Sequence, residues 1–242
     1  MTLPHMPAGL ALIYHDDILS LVDESDPGAG RLWVDFDSAE LRFRRRQALA
    51  REYLIKAVGG RRPRQHPDNL AGEGHIIDAT AGLGQDAFIL ACAGWQVSLV
   101  EQSPVVHALL ADGLQRAAEA NDDSLQRVIA RMTLFEPVDA RQRLMELPPA
   151  EVIYLDPMFP EREKSARVKK NRFLLQRLHG DKGQGEGLLE TALTLAAKVV
   201  VKRPRLAPPL NGGVPSAHIP GKTSRFDIYV GDVNNNRAMT RS

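Results

Sequence analysis

The chain has 242 residues, 43% of them hydrophobic, and a formal net charge of +1. That length suits one α/β domain with an appendage or two small domains, and the near-neutral charge argues against a polyelectrolyte that grips nucleic acid over its whole surface. No apolar run approaches the roughly 18 residues of a membrane span, no basic leader precedes a long apolar stretch, and the single cysteine, Cys92, offers neither an intramolecular disulfide nor a zinc cluster.

In chain order, residues 10–14 and 18–22 read as short strands around His15-Asp16-Asp17, a hairpin turn. Residues 25–30 (SDPGAG) are a loop by composition, and residues 32–36 read as a third strand. From 45 to 58 the pattern turns helical, with Leu49, Tyr53, Leu54 and Val58 at helix-face spacings and Gly59-Gly60 as its stop. Residues 61–74 are rich in Pro, Gly, Asn and Asp and read as a linker. The expected division is therefore an N-terminal segment of strands and basic helix (1–70) and a main domain (71–242).

The main domain opens on a strand at 75–78, a glycine-rich turn and a helix over 87–93. A second strand (95–100) ends at Glu101, and Ser103-Pro104 starts a long helix to about residue 120, with proline at a tolerated first-turn position. A third strand (131–135), a short helix (139–145), a fourth strand (152–155), a helix (188–196), a fifth strand (199–201) and a last strand (225–230) follow. Strands alternating with helices imply βαβ units and a parallel sheet. Cys92 lies inside an apolar helical pattern and reads as a small core residue. His66, His75 and His107 do not form a metal-ligand spacing, and no metal is expected. A reducing cytoplasm is the expected compartment, with no membrane attachment.

Strand, glycine turn and helix make a mononucleotide-binding element. Gly82 and Gly84 permit tight turns and close approach of a ligand. The helix beyond them carries partial positive charge at its start. Glu101 at the end of the next strand is placed to accept from both hydroxyls of a ribose. Two cofactors fit this much. A dinucleotide favours a third small residue, and Ala87 would serve, but Asp86 beside a pyrophosphate is electrostatically poor. S-adenosylmethionine carries an ammonium and a sulfonium and no phosphate. Asp78 and Asp86 suit it, and it is the favoured donor.

A second stretch carries the acceptor side. The buried strand at 152–155 runs into Asp156-Pro157-Met158-Phe159-Pro160. Pro157 fixes its own φ and biases Asp156 toward extended backbone. By itself Asp-Pro is ordinary turn chemistry. At the carboxyl end of a strand, however, a carboxylate, a carbonyl and a ring suit a flat substrate with an exocyclic amine: Asp156 and Pro157 accept its hydrogens and Phe159 stacks on its ring, worth about 1–3 kcal/mol. Methyl transfer from a sulfonium needs alignment above all, and alignment can supply about 7–11 kcal/mol. Basic residues crowd two segments: Arg42, Arg44, Arg45, Arg46, Arg51, Lys56, Arg61, Arg62 and Arg64 in one, and Arg162, Lys164, Arg167, Lys169, Lys170 and Arg172 in the other. Such runs are most often solvated faces. The second directly follows the Asp-Pro loop, where it would meet phosphates around a flipped base.

On these residues the chain resembles the class I S-adenosylmethionine-dependent methyltransferases. More narrowly it is similar to the bacterial small-subunit rRNA methyltransferases that act on N2 of a guanosine in 16S rRNA. The stretches that carry the likeness are residues 78–84 (DATAGLG), 101–113 (EQSPVVHALLADG), 152–170 (VIYLDPMFPEREKSARVKK), 200–204 (VVKRP) and 225–229 (RFDIY). The resemblance implies a Rossmann-like α/β fold with a mostly parallel, seven-stranded-type sheet flanked by helices, plus a small N-terminal α+β extension. It implies S-adenosylmethionine as cofactor and 16S rRNA or the small ribosomal subunit as partner. Donor contacts would fall at Gln85 and Asp86, Glu101 and Gln102, Val138 and Asp139, and Asp156. Gln85 and Gln102 stand where the family commonly has arginine, and Val138 and Asp139 where it has two serines. Catalysis would rest on Asp156, Pro157 and Phe159, and RNA contacts on Lys164, Arg167, Lys169, Lys170 and Arg172 with Arg44 and Arg45. Another amine acceptor, on RNA or protein, and a non-catalytic RNA-binding subunit are the alternatives. Asp227 is open between a turn cap and the site.

Overall fold

The computed structural model describes residues 6–46, 49–61, 74–157, 173–175, 177–178 and 187–231. An N-terminal hairpin pairs β1 (Leu10–His15) with β2 (Ile18–Asp23), and β3 (Arg31–Leu32) adds antiparallel to β2. Asp16 and Asp17 both take positive φ (51° and 60°), the backbone that a two-residue hairpin turn requires. The third strand is shorter than the sequence suggests. Residues 33–36 leave the ladder because Val34 and Phe36 are buried against the main domain, where the Phe36 ring stacks on Phe88 at 5.2 Å.

The single helix expected over 45–58 is three pieces: α1 (Ala39–Arg46), a 3-10 turn (Leu49–Arg51) and α2 (Tyr53–Val58). Helix α1 starts earlier than expected because the Ser38 hydroxyl accepts from the Leu41 N–H and caps it. The break falls at Glu52, which is extended (φ −64°, ψ 128°) and ion-paired to Arg44. Gly59, at φ 114°, ends α2.

The main sheet follows the order β6-β5-β4-β7-β8-β10-β9. Its strands are β4 (His75–Asp78), β5 (Gln96–Leu99), β6 (Met132–Leu134), β7 (Ala150–Leu155), β8 (Ala196–Pro204), β9 (Ala217–Pro220) and β10 (Ser224–Val230). The first five in that order are parallel, and β10 runs antiparallel to both neighbours. The connecting helices are α3 (Gln85–Cys92), α4 (Pro104–Ala118), α5 (Asp123–Ile129), α6 (Ala140–Glu146) and α7 (Leu188–Leu195). Helix α5 and strand β9 were not expected. Asp122 caps α5 by accepting from the Ser124 and Leu125 N–H groups, where the polar run reads as a helix end. Strand β9 lies at the sheet edge, the place that tolerates its terminal Pro220.

Strand order reverses about β4: β5 and β6 lie on one side, β7 and β8 on the other. The crevice outside the carboxyl ends of β4 and β7 is where open α/β sheets bind ligands. One apolar cluster joins Leu32, Val34, Phe36, Leu54 and Ile55 to Phe88, Leu90, Leu109 and Leu110, so the N-terminal segment packs into the same core as α3 and α4. A second cluster, with Ile77, Ile153, Leu155, Leu189, Val199 and Val201, includes the other face of the sheet. The expected boundary at residue 70 lies outside the described residues. Cys92 is half-buried, and burial pushes its thiol up to about 12.

Gly113, in the middle of α4, is the contact that admits the N-terminal segment. A Cβ there would lie 2.4 Å from Val34 Cγ1, and the Arg116 guanidinium donates to the Val34 carbonyl at 2.5 Å one turn on. Alanine in a helix interior normally gains up to about 1 kcal/mol over glycine. Here overpacking decides the sign: Gly113→Ala is expected to destabilise by about 1–3 kcal/mol, read as a lowered midpoint in thermal or urea unfolding.

Candidate active site

The ladder between β4 and its neighbours continues past the strand end. The Ala79 N–H donates to the Tyr154 carbonyl and the Ala81 N–H to the Val100 carbonyl, both at 3.0 Å. The glycine turn then passes over the crevice. Gly84 must be glycine on two counts: φ is 73°, and a Cβ would sit 2.7 Å from Leu110 Cδ1. Glu101 is buried and holds this turn. Its Oε2 accepts from the Gly82 N–H at 2.9 Å and its Oε1 from the Ser103 N–H at 2.7 Å, so one carboxylate ties the glycine loop to the start of α4. Asp78, also buried, accepts from the Thr80 N–H at 3.1 Å.

Across the crevice, the Asp156 backbone N–H donates to Thr80 Oγ1 at 2.6 Å. Its carboxylate is held separately. Lys202 Nζ lies 2.8 Å from Asp156 Oδ2 and 2.7 Å from Asp86 Oδ2. The Tyr154 hydroxyl donates to the same Asp86 oxygen at 2.7 Å, and Arg44 stands 3.9 Å from the other. The parallel register that pairs Leu155 with Val201 puts Asp156 beside Lys202. Neither Thr80 nor Lys202 was picked out from the sequence. The signal for Lys202 was a cation directly after the apolar run Val199-Val200-Val201, at the carboxyl end of a parallel strand.

Burial dominates the electrostatics. It raises the Asp78 carboxyl well above the usual carboxylate range, with Asp86, Asp156 and Glu101 adding to the rise. It raises Glu101 against the pull of three backbone N–H groups. Burial would raise Asp86 too, but the Lys202 ammonium, Arg44 and the Tyr154 hydroxyl outweigh it and hold that carboxyl below its ordinary value. Burial pulls Lys202 down, yet Asp86 and Asp156 together keep it above the usual lysine value, fully charged. Tyr154 is raised, by burial first and then by the carboxylate it donates to.

The structure thus gathers Asp78, Gly82, Gly84, Asp86, Glu101 and Asp156 around one crevice. Gln85 is exposed on the first turn of α3, and Gln102 is exposed beside Glu101. Val138 and Asp139 follow β6, further along the same sheet edge. The Asp139 carboxylate caps α6 through the Arg141 N–H at 2.9 Å and pairs with the Arg141 side chain, which lowers its pKa. Pro157 is buried. Arg44 faces inward to Asp86 and Glu52, and Arg45 pairs with Asp122 at 3.1 Å. Phe159, Lys164, Arg167, Lys169, Lys170 and Arg172 lie outside the described residues. Asp227 is fully buried in a bidentate pair with Arg225. Among the described residues no group of three or more His, Cys, Asp or Glu could hold a metal ion, and no helix is long and apolar enough to cross a membrane.

Four acids line the crevice, and its two cations, Lys202 and Arg44, are paired with Asp86 and Asp156, so a cationic ligand would favour the ionised form of the buried Asp78 and Glu101. The crevice suits a ligand with an ammonium and a sulfonium and opposes a pyrophosphate. The comparisons with known proteins agree. The family model of SAM-dependent methyltransferases matches residues 2–231. A ribosomal RNA small subunit methyltransferase J from Thioalkalivibrio sulfidiphilus is 46% identical over 225 residues, covering 91% of this chain and 84% of that protein. The chain belongs to this methyltransferase family. A relative of the same name from Saccharophagus degradans is 42% identical over 241 residues, covering 95% of this chain and 86% of its own. A solved SAM-dependent methyltransferase from Neisseria gonorrhoeae superposes with a TM-score of 0.70 at 32% identity, covering 96% of this chain and 87% of that one. As a methyltransferase of this family the protein is an enzyme that uses S-adenosylmethionine, and the dinucleotide alternative is set aside.

The buried acids carry a stability cost with a definite sign. Asp78 binds a proton more tightly folded than unfolded, so its unfavourable contribution is absent below the ordinary carboxylate value and grows as pH rises through its elevated folded value. Asp78→Asn is expected to raise the thermal midpoint of the ligand-free protein at pH 8, by about 2–4 °C per kcal/mol relieved. The gain should shrink toward pH 5 in scanning calorimetry.

Proposed function

We propose that this enzyme transfers a methyl group from S-adenosylmethionine to the exocyclic N2 of a guanosine in 16S small-subunit ribosomal RNA, in the cytoplasm. The observation that carries the reading is the Asp156 carboxylate, held at the carboxyl edge by two independent ties: Thr80 on its backbone and Lys202 on its side chain. The ribosomal substrate is supported by the name the relatives bear, and the guanine amine by the resemblance of residues 152–170 to small-subunit guanine-N2 enzymes.

In this reading Asp78, Gly82, Gly84, Gln85, Asp86, Glu101, Gln102, Val138, Asp139 and Asp156 line the donor site. The donor supplies an electrophilic methyl group on a cationic sulfur. The protein's task is alignment. The Asp156 carboxylate and the Pro157 carbonyl accept hydrogens of the base amine, drawing its lone pair out of conjugation and aiming it across the crevice. Methyl transfer from a donor bound there would leave the amine nitrogen with one proton too many. Asp156 is placed to take it and pass it to solvent. Lys202 fixes the Asp156 carboxylate through their ion pair, and its second contact to Asp86 couples the acceptor side to the donor side. Phe159 stacks on the flipped base, and Lys164, Arg167, Lys169, Lys170 and Arg172 meet phosphates. In the first basic run Arg44 and Arg45 are committed to ion pairs within the protein. Arg42 is likewise paired with Asp37 at 3.2 Å, so the exposed Arg46 and Arg51 are better placed for RNA.

The test is transfer of radiolabelled methyl to small subunits that lack the modification, followed by nucleoside analysis. Label is expected in N2-methylguanosine. Label in another nucleoside, or in protein, would replace the acceptor. Lys202→Met should lower kcat by about 10²-fold, the scale of a misplaced reacting group, with the RNA KM nearly unchanged and with partial recovery in Lys202→Arg. An unchanged kcat would remove Lys202 from the alignment.

A further inference from the structure

The connection between β8 and β9 leaves two large apolar side chains open to solvent, Leu206 at 94% exposure and Val214 at 89%. An exposed leucine on a slack loop carries no message. This loop is braced. The Ala207 N–H donates to the Pro204 carbonyl at 3.1 Å, closing a tight turn with Arg205 and Leu206 at its tip. The Arg225 guanidinium donates to the carbonyls of Pro204, Arg205 and Ala207, at 3.4, 2.9 and 2.6 Å. Arg203 donates twice to the Pro208 carbonyl, at 3.0 and 2.6 Å. Beyond the turn, Leu210 is buried and the Tyr229 hydroxyl donates to the Gly213 carbonyl at 3.3 Å. Asp227 stands behind all of this. A fully buried carboxylate is costly unless paired. This one is paired with Arg225, whose other N–H groups hold the turn. Pro208, Pro209 and Pro215 stiffen the rest of the connection.

The braced tip sits beside the crevice. Pro204 ends β8 two residues past Lys202, whose ammonium touches Asp156. Leu206 is four residues past Lys202, so its Cα lies within about 14 Å of it. The Arg205 N–H donates to the Thr223 carbonyl at 3.1 Å, which brings the exposed Lys222 of the β9–β10 hairpin alongside. An apolar side chain at the tip of a braced turn thus has an exposed cation on its own turn, Arg205, and another on the hairpin bonded to that turn, Lys222.

We propose that Leu206, flanked by Arg205 and Lys222, is a wedge that enters the RNA beside the target nucleotide and keeps it unstacked while Asp156 engages its base. The proposal rests on the RNA reading above. A base inside a helix cannot reach a catalytic crevice until it is turned out of the stack, and rigid apolar side chains serve nucleic-acid proteins as unstacking wedges. The neighbouring cations fit the phosphates that border the opening. A wedge must resist recoil, and that gives the Asp227–Arg225 brace its purpose.

The experiment compares wild type, Leu206→Ala and Leu206→Met on two RNA fragments bearing the guanosine that nucleoside mapping identifies. In one fragment the guanosine is base-paired; in the other its partner base is changed so that it is not. Leu206 is exposed, so its replacement leaves the fold intact, and donor Kd is measured alongside. Leu206→Ala should lose about 10- to 100-fold in kcat/KM on the paired RNA, the scale of one unassisted unstacking step. It should lose little on the unpaired RNA, keep its donor Kd, and be rescued by Leu206→Met. With 2-aminopurine next to the target, wild type should brighten the probe on binding and Leu206→Ala should not. An equal loss on both RNAs, or no loss, would overturn the wedge while leaving the reaction intact. A loss seen only on assembled particles would move Leu206 to a ribosomal protein contact and overturn it as well. Wild type inactive on every RNA would instead remove the substrate reading, and the wedge with it.

Discussion

One ammonium group holds the chemistry of this crevice together. The parallel sheet delivers the ends of β4, β5 and β7 to one edge, each with an acid: Asp78, Glu101 and Asp156. Helix α3 adds Asp86. Like charges gathered in a buried place repel strongly. Lys202 arrives from β8 and bridges two of the four at 2.7 and 2.8 Å. Its position follows from strand register alone, because pairing Leu155 with Val201 leaves Asp156 and Lys202 side by side. A one-residue slip of β8 would send the lysine to the opposite face.

The acids not bridged by Lys202 are handled differently. Glu101 is fixed by backbone N–H groups of the glycine turn and of α4, and Asp78 by that of Thr80. Both sit in surroundings that favour the protonated carboxyl. A cationic ligand beside them would relieve that cost and a neutral one would not. The N-terminal segment belongs to the same device. Phe36 packs beneath Gly84, and Arg44 reaches Asp86, so the appended strands and helix support the donor side instead of standing apart.

Much of this was legible in the sequence. Period and punctuation located the strands of the main sheet except the edge strand β9, since Gly82-Leu83-Gly84 and Asp156-Pro157 are local signals with local causes. Three acids of the crevice, Asp78, Glu101 and Asp156, were visible as well, each falling at the end of an apolar run. What escaped was set by long-range geometry. Lys202 depends on which strand lies beside β7, and a sequence does not state sheet order. Thr80 acts through a bond to a residue 76 positions away. Helix α1 hid in its arginines, because only Leu41 is buried there, and residues 33–36 traded strand pairing for packing under α4. Asp227 could be resolved only once Arg225 and the three carbonyls of the 204–207 turn were seen together.

The most direct test of this account separates donor binding from transfer at Asp156. On one preparation of Asp156→Ala, calorimetric titration gives the Kd for S-adenosylhomocysteine, and a single-turnover assay on small-subunit RNA gives the transfer rate. The account predicts a Kd within about threefold of wild type and a transfer rate lower by about 10²-fold or more, because Asp156 aligns the amine while Asp78, Glu101 and the glycine turn hold the donor. Donor affinity lost in step with the rate, or transfer left intact, would contradict it.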